Sequence, residues 1–475
     1  MADSSGLENK RPRRGRSATK AGTSTSEPKT NAPEISSNSL LRLNDESLQK
    51  LFDHLDIESL CQMANVCKRF QPITQEAFSR RHREFVFKGR ACKNSEFRRV
   101  LCKFGHLITS IDASQAYMAD YNELLDASAI VKYCNNNLES VILQRATIDC
   151  DAFKPLFSRL KRIELFKCEF TGNKIDLFKN CPNLEIFSFH ADFFGPDPLN
   201  FNYDRSIGFV VRKFPKLKCL GFDCNYVGFA TFFDLLALNP HVKEIDIAAK
   251  SEDMFIQAIA EYSKNLESFA MHSGDSFPEE QTRKGFLKLS NLKKLQRLCI
   301  EAGDEIYGKL VGPLMDAFAK EKVPINYLDL SEFSIGPNDI KSILKLKTMK
   351  VLLLNNIEKA VTDADLVPLA TQLPLLVHLQ LDFGEKVKTP ITVNGLVKMV
   401  KDGKQLKYLA LVRVQNLKID KKAFENILKA VQSRRNENKL TIDINTSSKK
   451  TTTFNVPEHV QQASSAHLKI RYSSE

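Results

Sequence analysis

A six-residue pattern of the form L-x-x-L-x-L recurs through most of this chain, and it constrains the fold more than any other feature. It starts at Leu138, Leu160, Leu184, Leu217, Val242, Leu266, Leu295, Ile325, Met349, Leu376 and Leu406, as in Leu266-Glu-Ser-Phe-Ala-Met271 and Leu376-Val-His-Leu-Gln-Leu381. The last apolar pair of each hexad is spaced by two, which suits a short strand burying every second side chain. Between hexads lie helical patterns such as Met254 to Tyr262 and Ala423 to Val431, where apolar residues return every three or four positions. Pro182, Pro215, Pro240 and Pro374 each stand one or two residues before the next anchor, where a missing N–H and a restricted φ end a helix. Each unit is therefore one strand and one helix. No such unit can bury its apolar face without neighbours, so the units must stack.

The usual step, about 22 to 30 residues, and the hexad itself resemble leucine-rich repeats. The resemblance implies an α/β solenoid over residues 81–445: a horseshoe whose parallel strands line the concave face while helices cover the convex side, with residues 446–475 as a C-terminal cap or tail. The repeats are degenerate. Asn355 fits the polar position that follows the last anchor in this family, whereas Phe166, His190 and Ala248 do not.

Ahead of the array the pattern is different. Leu48, Leu51, Phe52 and Leu55 fall at the i, i+3, i+4, i+7 spacing of one helix face, with Asn44 as N-cap. Asp56 can cap a second helix carrying Leu60, Met63, Ala64 and Cys67, and Pro72 is expected to open a third with Ile73, Ala77 and Phe78. About 40 residues are too few to bury all of these side chains alone, so some must face another surface. From Leu43 to Phe70 the stretch resembles an F-box: an opening Leu, Glu46, the Leu48 to Leu55 ridge, Leu60, and the ending Val66-Cys67-Lys-Arg-Phe70. It departs from that family's pattern at Asn44, where Pro is usual, and at Phe70, where Trp is frequent. The resemblance spans residues 39–80 and implies docking to a Skp-type adaptor and thence to a cullin scaffold. The residues it assigns to docking are Leu43, Asn44, Leu48, Leu51 and Phe52, together with Leu55, Val66, Cys67 and Phe70. This module and the preceding tail are expected to be separable from the array.

Residues 1–38 are Ser, Thr, Lys, Arg and Pro with almost nothing to bury, which reads as a disordered tail. Its Lys10-Arg-Pro-Arg-Arg-Gly-Arg16 run suits nuclear import or a merely solvated extension. The formal net charge of +12 favours acidic partners only if the cations are concentrated. Eleven cysteines, most of them in apolar runs and none in a C-x-x-C pair, read as reduced thiols of an intracellular protein rather than as metal ligands. No stretch has the length and apolarity of a signal or a membrane span, so a cytoplasmic or nuclear location is expected.

An F-box followed by leucine-rich repeats resembles the class of substrate receptors in SCF-type ubiquitin ligases: a non-catalytic subunit that holds a protein target. The alternative is a repeat scaffold in nucleus or cytosol with no ligase attached. Nine dispersed histidines and the lack of a phosphate loop or nucleophile elbow give no catalytic constellation, and no cofactor is expected. Alternation within the hexads turns Glu164, Asp223, Asp246, Glu301, Asp329 and Asp382 outward, against few cations nearby. This acidic wall, carried chiefly by Glu164, Asp246 and Asp329, serves either as a target surface or as solvated strand, and it argues against nucleic acid. A lengthened repeat from Asp192 to Tyr203 adds Phe193, Phe194, Phe201 and Tyr203, aromatics that either anchor a target or fold back onto the array.

Overall fold

The computed structural model describes residues 40–87, 89–118, 123–134, 137–190, 208–224, 229–249, 253–272, 281–301, 310–331, 333–384, 390–415, 417, 419–434, 440–446 and 468–474. All eleven hexads become strands, each starting two or so residues after the first anchor, from Ser140–Gln144 to Tyr408–Val412. Four further strands complete the sheet: Glu84–Val86 and Ser110–Ala113 before the first hexad, Leu440–Thr446 and Leu468–Ser474 after the last. Among the described residues the resulting 15-stranded sheet is parallel and its strands lie in sequence order, so each strand pairs only with the repeats on either side. This is the α/β horseshoe-like solenoid expected of the pattern. Its last strand, Leu468–Ser474, lies inside the segment expected as cap or tail and forms the terminal edge.

The anchors explain the stacking. In every hexad the first, fourth and sixth residues are buried, for example Leu217, Leu220 and Phe222, or Leu376, Leu379 and Leu381. Helices such as Val311–Lys320, Asp363–Gln372 and Lys421–Gln432 close the other side of this core, burying Leu314, Leu366 and Ile427. The many phenylalanines run between repeats as touching rings. Phe157 stacks on Phe178 at 5.5 Å, Phe178 meets Phe187 at 5.1 Å, and Phe187 meets Phe214 at 5.4 Å. Aromatic edges and faces add packing energy beyond area burial, which suits repeats too irregular for a leucine ladder.

Polar groups turn the chain where anchors cannot. Asn239, fully buried, accepts from the Phe214 N–H at 2.8 Å and donates to the Arg212 and Leu235 carbonyls, tying one helix end to the preceding repeat. Asp339 accepts from the N–H groups of Gly312 and Gly336 at 2.8 and 2.9 Å, joining two successive helix N-termini. Just past their strands, Arg145, Lys167, Asn356 and Arg413 adopt left-handed φ near 50°. Only Asn is at ease there, so these turns are imposed by the strand ladder on either side. The ten described free cysteines include Cys134 and Cys181, whose thiols burial pushes up to about 12. These two are packing residues rather than nucleophiles.

Candidate interaction surfaces

The N-terminal module is three helices: α1 (Asp45–Phe52), α2 (Ile57–Val66) and α3 (Phe70–Arg81). Asn44 and Asp56 cap the first two as expected, accepting from the Ser47 and Ser59 N–H groups at 2.8 and 2.7 Å. The third helix begins at Phe70, and Pro72 falls within its first turn, where no intrahelical N–H is needed. Arg80 makes a two-oxygen contact with Asp53, at 2.6 and 2.9 Å, and Arg81 donates to the Asp53 carbonyl, so α3 braces the end of α1.

This arrangement divides the residues assigned to docking. Leu48, Phe52 and Phe70 are fully buried, with Phe52 and Phe70 edge to face at 5.2 Å. They form the module's own core and present nothing to a partner. Leu55 and Cys67 are half-buried against that core. What remains outside is Leu43, Leu51 and Val66, at 37%, 36% and 56% exposure, with Asn44 beside them. Leu40 and Leu41 are exposed to the same degree and were not picked out from sequence, because they precede the helical pattern that singles out the others.

A second surface is the strand face. Glu164, Asp246 and Asp329 share one ladder along the sheet, on registers that place Asp246 opposite Gly221 and Ala270, and Asp329 opposite Cys299 and Leu353. The small neighbours leave Asp246 accessible. The expectation of few cations does not hold: Arg162 Nε lies 2.6 Å from Glu164 and Arg413 Nε 2.5 Å from Asp382, which is itself buried. His272 reaches Asp246 at 3.3 Å through Nε2 and Glu301 at 2.8 Å through Nδ1. Both contacts favour the imidazolium, Asp246 most, and His272 is pushed up to about 9. Asp246 is lowered in turn, chiefly by His272, while burial raises Asp329. The Arg297 guanidinium lies over the Tyr327 ring at 3.9 Å. The acidic character thus contracts to the region of Asp246, Glu301 and Asp329. Half-buried Ile142, Phe166 and Ile186 flank it on one side, and Leu353 and Tyr408 on the other. Ile142, Leu353 and Phe166 occupy the same outward positions as the acids, within or just after the hexad, while Ile186 and Tyr408 stand at its third position, which alternation also turns outward. Phe193, Phe194, Phe201 and Tyr203 lie outside the described residues, as does the tail.

With the helices, their caps and their exposed leucines in place, one comparison bears directly on the module: residues 40–75 match the F-box domain family. The chain carries an F-box ahead of a leucine-rich-repeat array. None of the curated proteins matches the sequence. Among solved structures, the chain is similar at 14% identity to the Rad7–Elc1 complex of yeast, with a TM-score of 0.40 and 90% of this chain and 92% of that one covered. An internalin, InlF, of Listeria monocytogenes matches at 14% identity and a TM-score of 0.39 over 74% and 80% of the two chains. A TLR13–ssRNA13 complex matches at 14% and 0.37 over 78% and 62%.

The F-box does not stand apart from the array. Phe78 of α3 stacks on Phe104 at 4.3 Å, and Phe104 belongs to the first helix of the array, α4 (Asn94–Phe104). Arg99 on α4 meets Glu58 on α2 at 3.3 Å. The buried side chains of both parts form one continuous core. Part of the outside surface that so small a module needs is therefore supplied by the same chain, contrary to the expected separability.

Proposed function

We propose that this protein is the substrate-recognition subunit of an SCF-type ubiquitin ligase, docking a Skp-type adaptor through its F-box and holding a protein target on the strand face of its array. The observation that carries the reading is the division within α1 to α3. After Leu48, Phe52, Phe70 and Phe78 have satisfied the core, Leu40, Leu41, Leu43, Leu51 and Val66 still face outward. F-box domains bind Skp-type adaptors, and apolar groups left at the end of an otherwise satisfied module suit such an interface. In this role the chain is non-catalytic, and ubiquitin transfer belongs to other subunits, joined through a cullin.

The target it suits is a protein presenting cationic or hydrogen-bond-donating groups toward Asp246, Glu301 and Asp329, with apolar groups to either side. A polyanion would meet the wrong sign of charge there. Co-purification of the full chain with a Skp-type adaptor and a cullin tests the reading. A stoichiometric complex is expected. A chain that purifies free of adaptor, while its array still captures partners, would favour the repeat scaffold instead.

A further inference from the structure

Residues 40–47 pose a problem of placement: every one of them is exposed, and the 3-10 turn Leu40–Arg42 buries no side chain. Hydrophobic packing therefore cannot fix where Leu40, Leu41 and Leu43 sit. A polar tether from the other end of the module can. Arg69 lies in the short connection between α2 and α3, some 24 to 28 residues away in sequence, and its side chain runs back to the start of α1. Its Nη1 donates to the Leu41 carbonyl at 2.8 Å and its Nη2 to the Leu43 carbonyl at 2.5 Å. Nε and Nη2 both donate to Asp45 Oδ1, at 2.9 and 2.7 Å. One planar guanidinium thus holds two backbone carbonyls and a carboxylate on three consecutive odd-numbered residues.

We propose that Arg69 is a positioning residue for the adaptor interface: it holds Leu40–Leu43 in a preformed turn that presents their side chains. The inference rests on the docking reading above and deepens it. The chemistry is specific to arginine. Its five donors are fixed in a plane, so three acceptors at different bearings can be served at once, whereas an ammonium on a flexible stem serves them in alternation. An exposed leucine turn that is already ordered also loses less conformational freedom on binding, which raises affinity without adding a contact. Asn44 contributes from within the segment, by accepting from the Ser47 N–H, while Arg69 links the segment to the α2–α3 corner.

The test uses the full chain with Arg69→Lys and Arg69→Ala, reading amide hydrogen exchange at Leu41 to Ser47 in the free protein and affinity for a purified Skp-type adaptor. Both variants should speed exchange in that segment and weaken adaptor binding, Arg69→Ala by about tenfold and Arg69→Lys by less. Exchange in the bodies of α2 and α3 should stay unchanged, since every donor contact of the Arg69 side chain goes to residues 41 to 45. Unchanged exchange at 41–47 would overturn the tether. Faster exchange with wild-type affinity would overturn its role in docking. If wild type and variants all fail to bind adaptor, the docking reading itself falls, a result distinct from loss in the variants alone.

Discussion

Asp246 and Glu301 grip His272 from both sides, and this pair sets the charge at the middle of the strand face. The folded value near 9 stands above the ordinary 6.5, so the stabilisation is fully present below pH 6.5 and is lost as pH rises through about 9. We therefore expect His272 to titrate with a midpoint near 9 when followed by NMR, and Asp246→Asn to bring the midpoint down toward 6.5. A wild-type midpoint at or below 6.5 would show that the imidazole does not bridge the two carboxylates. The same geometry revises which acids a target can use. Asp246 and Glu301 share one imidazolium and so keep a net negative charge, whereas Glu164 is neutralised by Arg162 and Asp382 is buried against Arg413, so Asp246→Asn with Glu301→Gln should slow target association more than Glu164→Gln does. Equal effects of the two changes would contradict this ranking.

Between elements, the decisive contact is Phe78 on Phe104, because it joins α3 of the F-box to α4 of the array. Truncating Phe78 to Ala leaves a cavity in a fully buried aromatic pair and is expected to cost ~3–5 kcal/mol. Chemical denaturation should show that loss, and hydrogen exchange should quicken in α4 as well as in α1 to α3. Loosening confined to α1 to α3 would mean that the two parts are independent after all. The strands were legible because three anchors per hexad are all buried, and a long series of such hexads has no other economical packing. The four additional strands were not, because Glu84–Val86 carries a single buried residue, Phe85, and the others offer Ile111 or Ile442 without the full leucine series. The helices of the module were legible from Asn44, Asp56 and the apolar spacing. Which residues of that spacing face inward was not, since one helical stripe around Leu48, Leu51, Phe52 and Leu55 looks the same whether a core or a partner covers it. The strand-face pairs Arg162–Glu164 and Asp246–His272–Glu301 join neighbouring positions on the sheet, and reading acidic positions alone hides their basic partners.

Taken whole, the molecule is an F-box built onto the first repeat of a parallel solenoid. A basic N-terminal segment adds little apolar surface, and removing residues 1–38 should leave the melting temperature nearly unchanged in a calorimetric scan. A large drop would show that those residues pack on the array. Removing the F-box as well is a different operation, because it strips the cover from Phe104, and the array alone should be less stable than the full chain. The central claim, that the outward leucines of the F-box dock an adaptor, is tested most directly by calorimetric titration of a purified Skp-type adaptor into the full chain and into a Leu51→Ala/Val66→Ala variant. Both residues are exposed, so the variant should fold and melt as the wild type does, while each truncation costs on the order of 1–3 kcal/mol of binding if the contact is central. Wild-type binding with one site per chain, reduced at least about tenfold in the variant, is the predicted result. Wild-type affinity in a folded variant would contradict it.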